Sequence, residues 1–223
     1  MNVVAVPVKD LVNAKQRLVP ALSPAERMAL ARAMLHDVLR ALTAASLDAR
    51  WIVTRDPEVT AIARDHGVDV ISEEVNRGHT AAVAAAQAAA VRAGARVFAT
   101  IPGDTPCVTA DEITTLVGRA NPGGPAAVFT PSRSGLGTNG VALAPPGVML
   151  LTFGEPSFDN HLNAAGARGL VTSVLALPGL GLDVDHPSDL ALLLAHGART
   201  ESGRLLAGFP VAERLAAGAL RRG

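Results

Sequence analysis

The chain has 223 residues, 49% hydrophobic and 18% charged, with Lys+Arg and Asp+Glu equal at 20 each, which fits one α/β domain with a buried core. A neutral chain with one Trp and no Tyr lacks the basic field and the stacking surface of a nucleic-acid binder, so any anion it handles is held by a local site. A single cysteine, Cys107, excludes an intrachain disulfide or a cysteine zinc cluster and fits a reducing cytoplasm.

The opening MNVVAVPVKD is too short an apolar run for a signal peptide. Its β-branched stretch, residues 3–8, predicts a buried central strand ending at Pro7. A loop rich in Lys and Arg, residues 9–20, follows. Ser23-Pro24-Ala25-Glu26 is a capping box with Pro at the first helical position. Met28, Leu35, Val38, Leu39 and Leu42 then recur at helical spacing, which predicts a helix over 24–44. The alternation continues with a strand at 51–54 and a short helix opened by Asp56-Pro57-Glu58 and closed by Gly67. After it come a strand at 68–71, an Ala-rich helix near 80–93 and a strand at 97–101. The apolar stretch 80–91 falls short of a bilayer span, so no membrane insertion is expected. Thr109 and Glu112 make a second capping box.

The second half changes character. Strands are predicted at 126–130 and 140–143, joined by the Gly-rich loop 134–140. Ser157 reads as the cap of a helix running to about residue 168, followed by a strand at 170–177. Residues 183–189 lead into an apolar helix ending near Gly197. Strands alternating with helices at this pitch predict an α/β fold, a parallel sheet with helices on both faces. Ligands of such sheets lie beyond the carboxyl ends of the strands. The domain is read as residues 1–200. The tail 201–223 is read as a helix packed on the domain or on another subunit, or as partly disordered. The apolar-leaning composition and this tail are compatible with a homodimer.

The candidate chemistry sits at those strand ends. Lys9, Lys15 and Arg17 follow the first strand, where cations bind phosphates; the bland reading is a solvated basic loop. Asp104, in Ile-Pro-Gly-Asp-Thr-Pro after the strand at 97–101, is placed to hold magnesium, against a plain turn-forming Asp. Leu182-Asp183-Val184-Asp185 reads as an acidic pair at a strand end, with alternation putting both carboxylates on one face. Magnesium takes one or two carboxylates plus phosphate oxygens, so Asp104 with either member suffices; the competing reading is capping of the helix after Pro187. Gly137-Thr138-Asn139 and residues 153–158 offer close backbone approach and hydroxyl or amide donors. Ser157 at a helix start suits a phosphate or carboxylate, or is an ordinary cap. Among the histidines only His79 and His161 fall near this crevice. Walker, Gly-x-Ser-x-Gly and zincin patterns are all missing from the sequence.

Together these segments resemble the 2-phospho-L-lactate guanylyltransferase family, which serves biosynthesis of the deazaflavin coenzyme F-420. The matching pieces are Val6-Pro7-Val8-Lys9 with Ala14-Lys15-Gln16-Arg17-Leu18, then residues 22–27, 101–106 and 137–139. They continue with 153–158 plus His161, and with 182–185 through Pro187 to Asp189-Leu190. The resemblance implies a nucleotidyltransferase fold of the glycosyltransferase-A type, a three-layer sandwich with a mixed, mostly parallel central sheet. It implies that GTP is joined to 2-phospho-L-lactate, phosphoenolpyruvate or 3-phospho-D-glycerate. It further implies that Thr138, Gly154 and Ser157 hold the phospho-acid, and that Asp104 and an aspartate of the later pair hold magnesium. Where the family usually has Gly-Leu-Asn this chain has Gly78-His79-Thr80, near the nucleotide in related enzymes. A milder departure is Asp185-His186-Pro187-Ser188-Asp189 in place of Asp-Thr-Pro-Glu-Asp.

On this reading the acceptor phosphate attacks the α-phosphorus without a general base, and catalysis reduces to alignment and charge neutralisation. Lys9, Lys15 and Arg17 then stabilise the leaving pyrophosphate. Two alternatives stay open: a nucleotidyltransferase for a sugar phosphate, sugar acid or molybdopterin-type acceptor, and a non-catalytic nucleotide-binding module.

Overall fold

The computed structural model describes residues 1–75, 77–120 and 124–220. Its strands are β1 (Asn2–Pro7), β2 (Ala49–Thr54), β3 (Asp69–Ser72), β4 (Val97–Thr100), β5 (Ala126–Pro131), β6 (Thr138–Ala144) and β7 (Val171–Val174). They form one seven-stranded sheet in the order β3-β2-β1-β4-β6-β5-β7. Only β6 is antiparallel to its neighbours, β4 and β5; every other pairing is parallel. The sheet is therefore mixed and mostly parallel, with helices on both faces.

The period-2 geometry of strands explains how one sheet feeds two cores. Val4 and Val6 of β1, Val97 and Ala99 of β4, and Ala142 of β6 point into one. Ala5, Phe98, Val141 and Leu143 point into the other. Helices α1 (Pro24–Ala44), α2 (Pro57–Asp65) and α4 (Ala110–Arg119) cover the first face through Leu35, Val38, Leu39, Ile62 and Ile113. Helices α3 (His79–Arg92) and α5 (Ser157–Gly166) cover the second with small side chains such as Ala82, Ala86 and Ala165. Burial on both faces is why β1 reads as an unbroken apolar run.

Local signals place most ends. α1 has its predicted bounds, and both bonds of its capping box form: Glu26 N donates to Ser23 Oγ at 3.3 Å and Ser23 N to Glu26 Oε2 at 2.8 Å. Asp56 caps α2, and Gly67 takes φ +66° just past its end, a left-handed turn that a side chain would disfavour. Three expectations need correction. Ser157 is the first residue of α5, not its cap, because its Oγ accepts the Thr138 backbone N–H at 3.0 Å instead. The strand expected over 170–177 ends at Val174; past Leu175, whose N–H still reaches Phe129 O, Pro178 opens the one-turn helix α6 (Pro178–Gly181). Residues 182–185 consequently form an extended connector outside the sheet, leading to α7 (Pro187–His196).

Beyond α7 the chain forms α8 (Glu201–Ala207) and α9 (Val211–Leu220); residues 221–223 of the expected tail lie outside the described residues. A third apolar cluster fastens these helices to the domain: Leu18, Leu30, Met34, Val184, Leu190, Leu193, Leu206 and Val211. Buried Asp37 of α1 anchors α8 further. Its carboxylate accepts Glu201 N at 2.8 Å, Ser202 N at 2.9 Å and Ser202 Oγ at 2.7 Å, a charge set on a helix N-terminus. Replacing Asp37 with Ala strands these donors, and the loss expected in denaturant unfolding is about 2–4 kcal/mol. A loss below about 1 kcal/mol would show that the apolar contacts alone hold α8.

Candidate active site

A cleft opens along the carboxyl edge of the sheet, in two adjoining lobes of about 640 and 510 Å³, within the usual range for small-molecule sites. Because β6 runs backwards, its first residues, Thr138 and Asn139, reach the same edge as the last residues of β1 and β4. The two lobes share Lys9, Arg17, His79, Thr138, Asn139, Asp183 and Asp185.

The first lobe is built on the loop after β1. Val8 N still bonds Val53 O, after which the chain leaves the sheet and Leu11 N is tied to Asp56 Oδ2 at 2.9 Å. Two 3₁₀ turns, Leu11–Asn13 and Gln16–Leu18, flank Lys15. Lys15 has φ +57°, the one positive φ outside glycine among the described residues. A left-handed residue with a Cβ costs about 1–2 kcal/mol, and its surroundings hold it there. Leu18 is fully buried in the third cluster. The Lys15 Nζ, on a side chain only 8% exposed, lies 2.5 Å from Asp104 Oδ2 and 2.8 Å from Asp185 Oδ1. Burial alone would lower the Lys15 pKa, but the two carboxylates raise it above its ordinary value. Burial likewise opposes the charge of Asp185, and Lys15, with Arg17 and His186 assisting, holds its carboxyl below the usual range.

Asp104 and Asp185, 81 positions apart in the sequence, thus meet on one ammonium, separated by no more than the sum of those two contacts. The backbone repeats the link, since Val184 N donates to Asp104 O at 3.1 Å. Asp183 faces the same cleft while Val184 between the two acids is buried among Leu18 and Leu190. The alternation expected of a strand is kept by an extended connector. Asn139 Nδ2 donates to Asp183 Oδ1 at 2.9 Å. Burial pushes the Asp183 carboxyl up, that hydrogen bond pulls it back, and the negative charges of Asp104 and Asp185 push it up again. Among the described residues no three acidic, His or Cys side chains converge as a ready-made metal cage. A magnesium ion that takes one or two carboxylates and completes its shell with phosphate and water needs no such cage. The unrelieved charge on Asp183 beside Asp104 fits a site of that kind. Lys9 and Arg17 are exposed at the rim, with Arg17 Nη1 3.7 Å from Asp185 Oδ2.

The second lobe is a ledge of neutral donors. Thr138 Oγ1 lies 3.0 Å from His161 Nδ1 and 3.4 Å from Ser157 Oγ, all three side chains being buried. Gly154 lines the ledge with φ +119°, a conformation that favours glycine. Gly78 stands one residue back as the N-cap of α3, His79 enters both lobes, and Thr80 faces only the second. Thr80 Oγ1 accepts Phe153 N at 3.0 Å, so it fastens α3 to the Gly154 segment. Burial lowers the His79 pKa, with Asp104 opposing and Lys9 adding to the effect. The structure also brings in Arg133, which sequence reasoning passed over. It lines the second lobe and reaches Asp189 Oδ1 at 3.2 Å. Its signal was its place just past β5, on the carboxyl edge.

A mixed α/β sheet with a cleft large enough for a nucleotide and a second small anion, acids and lysine at one end and hydroxyls at the other, is the arrangement of a nucleotidyltransferase. The similarity to known proteins agrees. The family described as "Guanylyl transferase CofC like" matches residues 1–217, and the chain belongs to it. A phosphoenolpyruvate guanylyltransferase of Rubrobacter xylanophilus is 38% identical over 198 residues, covering 88% of this chain and 96% of the relative. A 2-phospho-L-lactate guanylyltransferase of Methanothermobacter thermautotrophicus is 35% identical over 201 residues, covering 90% and 87%. Among solved structures, a putative nucleotide-diphospho-sugar transferase from Desulfovibrio desulfuricans superposes with TM-score 0.75. It is 16% identical and covers 93% of this chain and 95% of the other, a likeness of fold.

The raised Asp183 gives a pH-dependent test. A carboxyl whose folded pKa exceeds its unfolded value binds its proton more tightly in the folded state, so it destabilises the fold above that pKa and the effect fades as pH falls. Asp183→Asn is expected to raise the melting temperature at about pH 7.5, the gain shrinking as pH falls toward about 4 and gone about a unit below it. A variant no more stable than the unaltered protein at the higher pH would contradict the assigned environment.

Proposed function

We propose that the chain condenses GTP with a phosphorylated three-carbon acid, giving a guanosine diphospho-acid and pyrophosphate, in the biosynthesis of coenzyme F-420. The reading is carried by one observation: the acid–lysine cluster and the hydroxyl ledge lie in one continuous cleft, where two phosphorylated substrates can meet. The names of the relatives support guanine as the base and phosphoenolpyruvate or 2-phospho-L-lactate as acceptors, and 3-phospho-D-glycerate has the same chemical outline.

In the reaction an oxygen of the acceptor phosphate forms a bond to the α-phosphorus of GTP. The bond from that phosphorus to the bridging oxygen breaks, and pyrophosphate leaves with the electron pair. The attacking oxygen is already anionic, so no side chain need take a proton. Work is left to alignment and charge. Thr138, Gly154 and Ser157 form the pocket for the acid end of the acceptor, with Thr138 as the hydroxyl donor and Ser157 supporting it, while Lys9 and Arg17 at the rim face the departing pyrophosphate. Lys15, held between Asp104 and Asp185, orients both carboxylates and adds positive charge beside the reacting phosphates. Asp104 together with Asp183 or Asp185 would hold magnesium, Asp183 being the one of the three that Lys15 does not engage; when bound, the ion would supply positive charge where the two phosphates meet.

The test is an incubation of purified protein with magnesium, each of GTP, CTP and ATP, and each three-carbon acid, with pyrophosphate counted and products weighed by mass spectrometry. GTP with at least one of the acids is expected to yield product; product from CTP or ATP alone would overturn the guanylyl assignment. Asp104→Ala should lower turnover by about 10²–10³ or more, while Lys9→Ala and Arg17→Ala at the exposed rim cost less. Turnover within about threefold of the unaltered enzyme in Asp104→Ala would reject its role.

A further inference from the structure

We propose that His161 is a positioning residue whose Nδ1–H donates to Thr138 Oγ1 and so commits the Thr138 hydroxyl to donate its own proton to an acceptor oxyanion in the cleft. The inference rests on the reading of the second lobe as the acceptor pocket.

The polarity follows from a backbone group that can only donate. Thr152 N–H points at His161 Nε2 at 3.2 Å, so Nε2 carries a lone pair and a neutral ring has its proton on Nδ1. That nitrogen lies 3.0 Å from Thr138 Oγ1. Ser157 Oγ takes the Thr138 backbone N–H at 3.0 Å and directs its hydroxyl to Thr138 Oγ1 at 3.4 Å. The two lone pairs of Thr138 Oγ1 are then occupied by His161 and Ser157, and the only hydrogen-bonding capacity left to it is donation. Thr138 lines both lobes of the cleft. A donor fixed in advance favours a carboxylate or phosphate oxygen and needs no reorganisation when the ligand arrives.

The ring is held so that it cannot turn the network over. His161 is 2% exposed, stacks parallel to Phe129 with centroids 5.7 Å apart and meets the edge of Phe153 at 5.2 Å. Burial pushes the imidazole down to about 4, outweighing a hydrogen bond with the Thr152 backbone that favours the charged ring, and the ring stays neutral in ordinary buffers. Thr152 is itself exposed, and its backbone N–H is the outer end of a relay running through His161 to Thr138.

Two measurements decide the matter. Two-bond ¹H–¹⁵N correlation spectra of ¹⁵N-histidine-labelled protein report the tautomer without any substrate: His161 neutral with its proton on Nδ1 is expected, and a proton on Nε2 overturns the proposal. The second uses steady-state kinetics with GTP, magnesium and phosphoenolpyruvate, or whichever three-carbon acid is turned over. His161→Phe keeps an aromatic ring against Phe129 and Phe153 but removes both hydrogen bonds. It is expected to raise the KM for the phospho-acid about 10- to 100-fold and leave that for GTP within about twofold. Thr138→Val should do the same and the double variant no more, whereas His161→Asn, which restores an N–H donor, recovers much of the loss. Effects that multiply in the double variant, or a GTP KM raised equally, would assign His161 a merely structural role and overturn the proposal. An unaltered protein inactive with every phospho-acid would count against the guanylyl-transfer reading, and the tautomer would still decide the role of His161.

Discussion

Removing an ammonium from water is costly, and the cost is met only where carboxylates surround it closely. Lys15 is such a case, with Asp104 at 2.5 Å and Asp185 at 2.8 Å. The parallel pairing of β1 with β4 sets the loops that carry Lys15 and Asp104 side by side, but Asp185 comes from the connector before α7, which no strand pairing brings there. Their meeting point is built twice more, by Val184 N on Asp104 O and by the apolar cluster that takes in both Leu18 and Val184. Charge, backbone and packing therefore converge on one place. The left-handed φ of Lys15 is the local strain that this convergence sustains, and strain of that sort collects where a side chain must be aimed.

Much of this was legible in the sequence because it is local. The β-branched run of β1, the capping boxes of α1 and α4, and Gly67 beyond α2 each carry their own physical signal within a few residues. The acids were legible for a related reason: in an α/β sheet the carboxyl ends of strands face the ligand, and Asp104 follows β4 directly. What could not be read depends on distant contacts. Ser157 looks like a helix cap until Thr138, 19 positions earlier, is seen donating to it. Residues 182–185 carry the alternation of a strand, yet their backbone N–H groups reach the Asp104 carbonyl and the Asp189 carboxylate rather than a neighbouring strand. Lys15 reads as one more cation in a basic loop, and only tertiary structure shows it bound to two acids while Lys9 and Arg17 stay at the rim. Arg133 sits in a turn whose place beside the cleft depends on the antiparallel course of β6.

The two lobes are not independent. Phe153 meets His79 edge-on at 4.6 Å and His161 at 5.2 Å, and its backbone N–H is held by Thr80. The start of α3, which the first lobe uses, and the ledge that the second uses are thereby fixed against the same ring. A shift of either lobe is felt by the other through a packed aromatic contact.

The reversed direction of β6 carries a consequence for how such a protein can diversify. Residues 126–166, comprising the β5–β6 hairpin and α5, form one continuous stretch that supplies Arg133, Thr138, Asn139, Gly154, Ser157 and His161. Within the sheet that stretch joins the first hundred residues along the antiparallel ladder of β4 with β6, and outside it α3 grips the stretch through Thr80 on Phe153 N and Gln87 on Pro146 O and Met149 O. Side chains of this stretch that line the cleft are therefore free to vary while the lysine-bearing loop and β1 stay untouched, but the residues that meet Thr80 and Gln87 must vary together with α3.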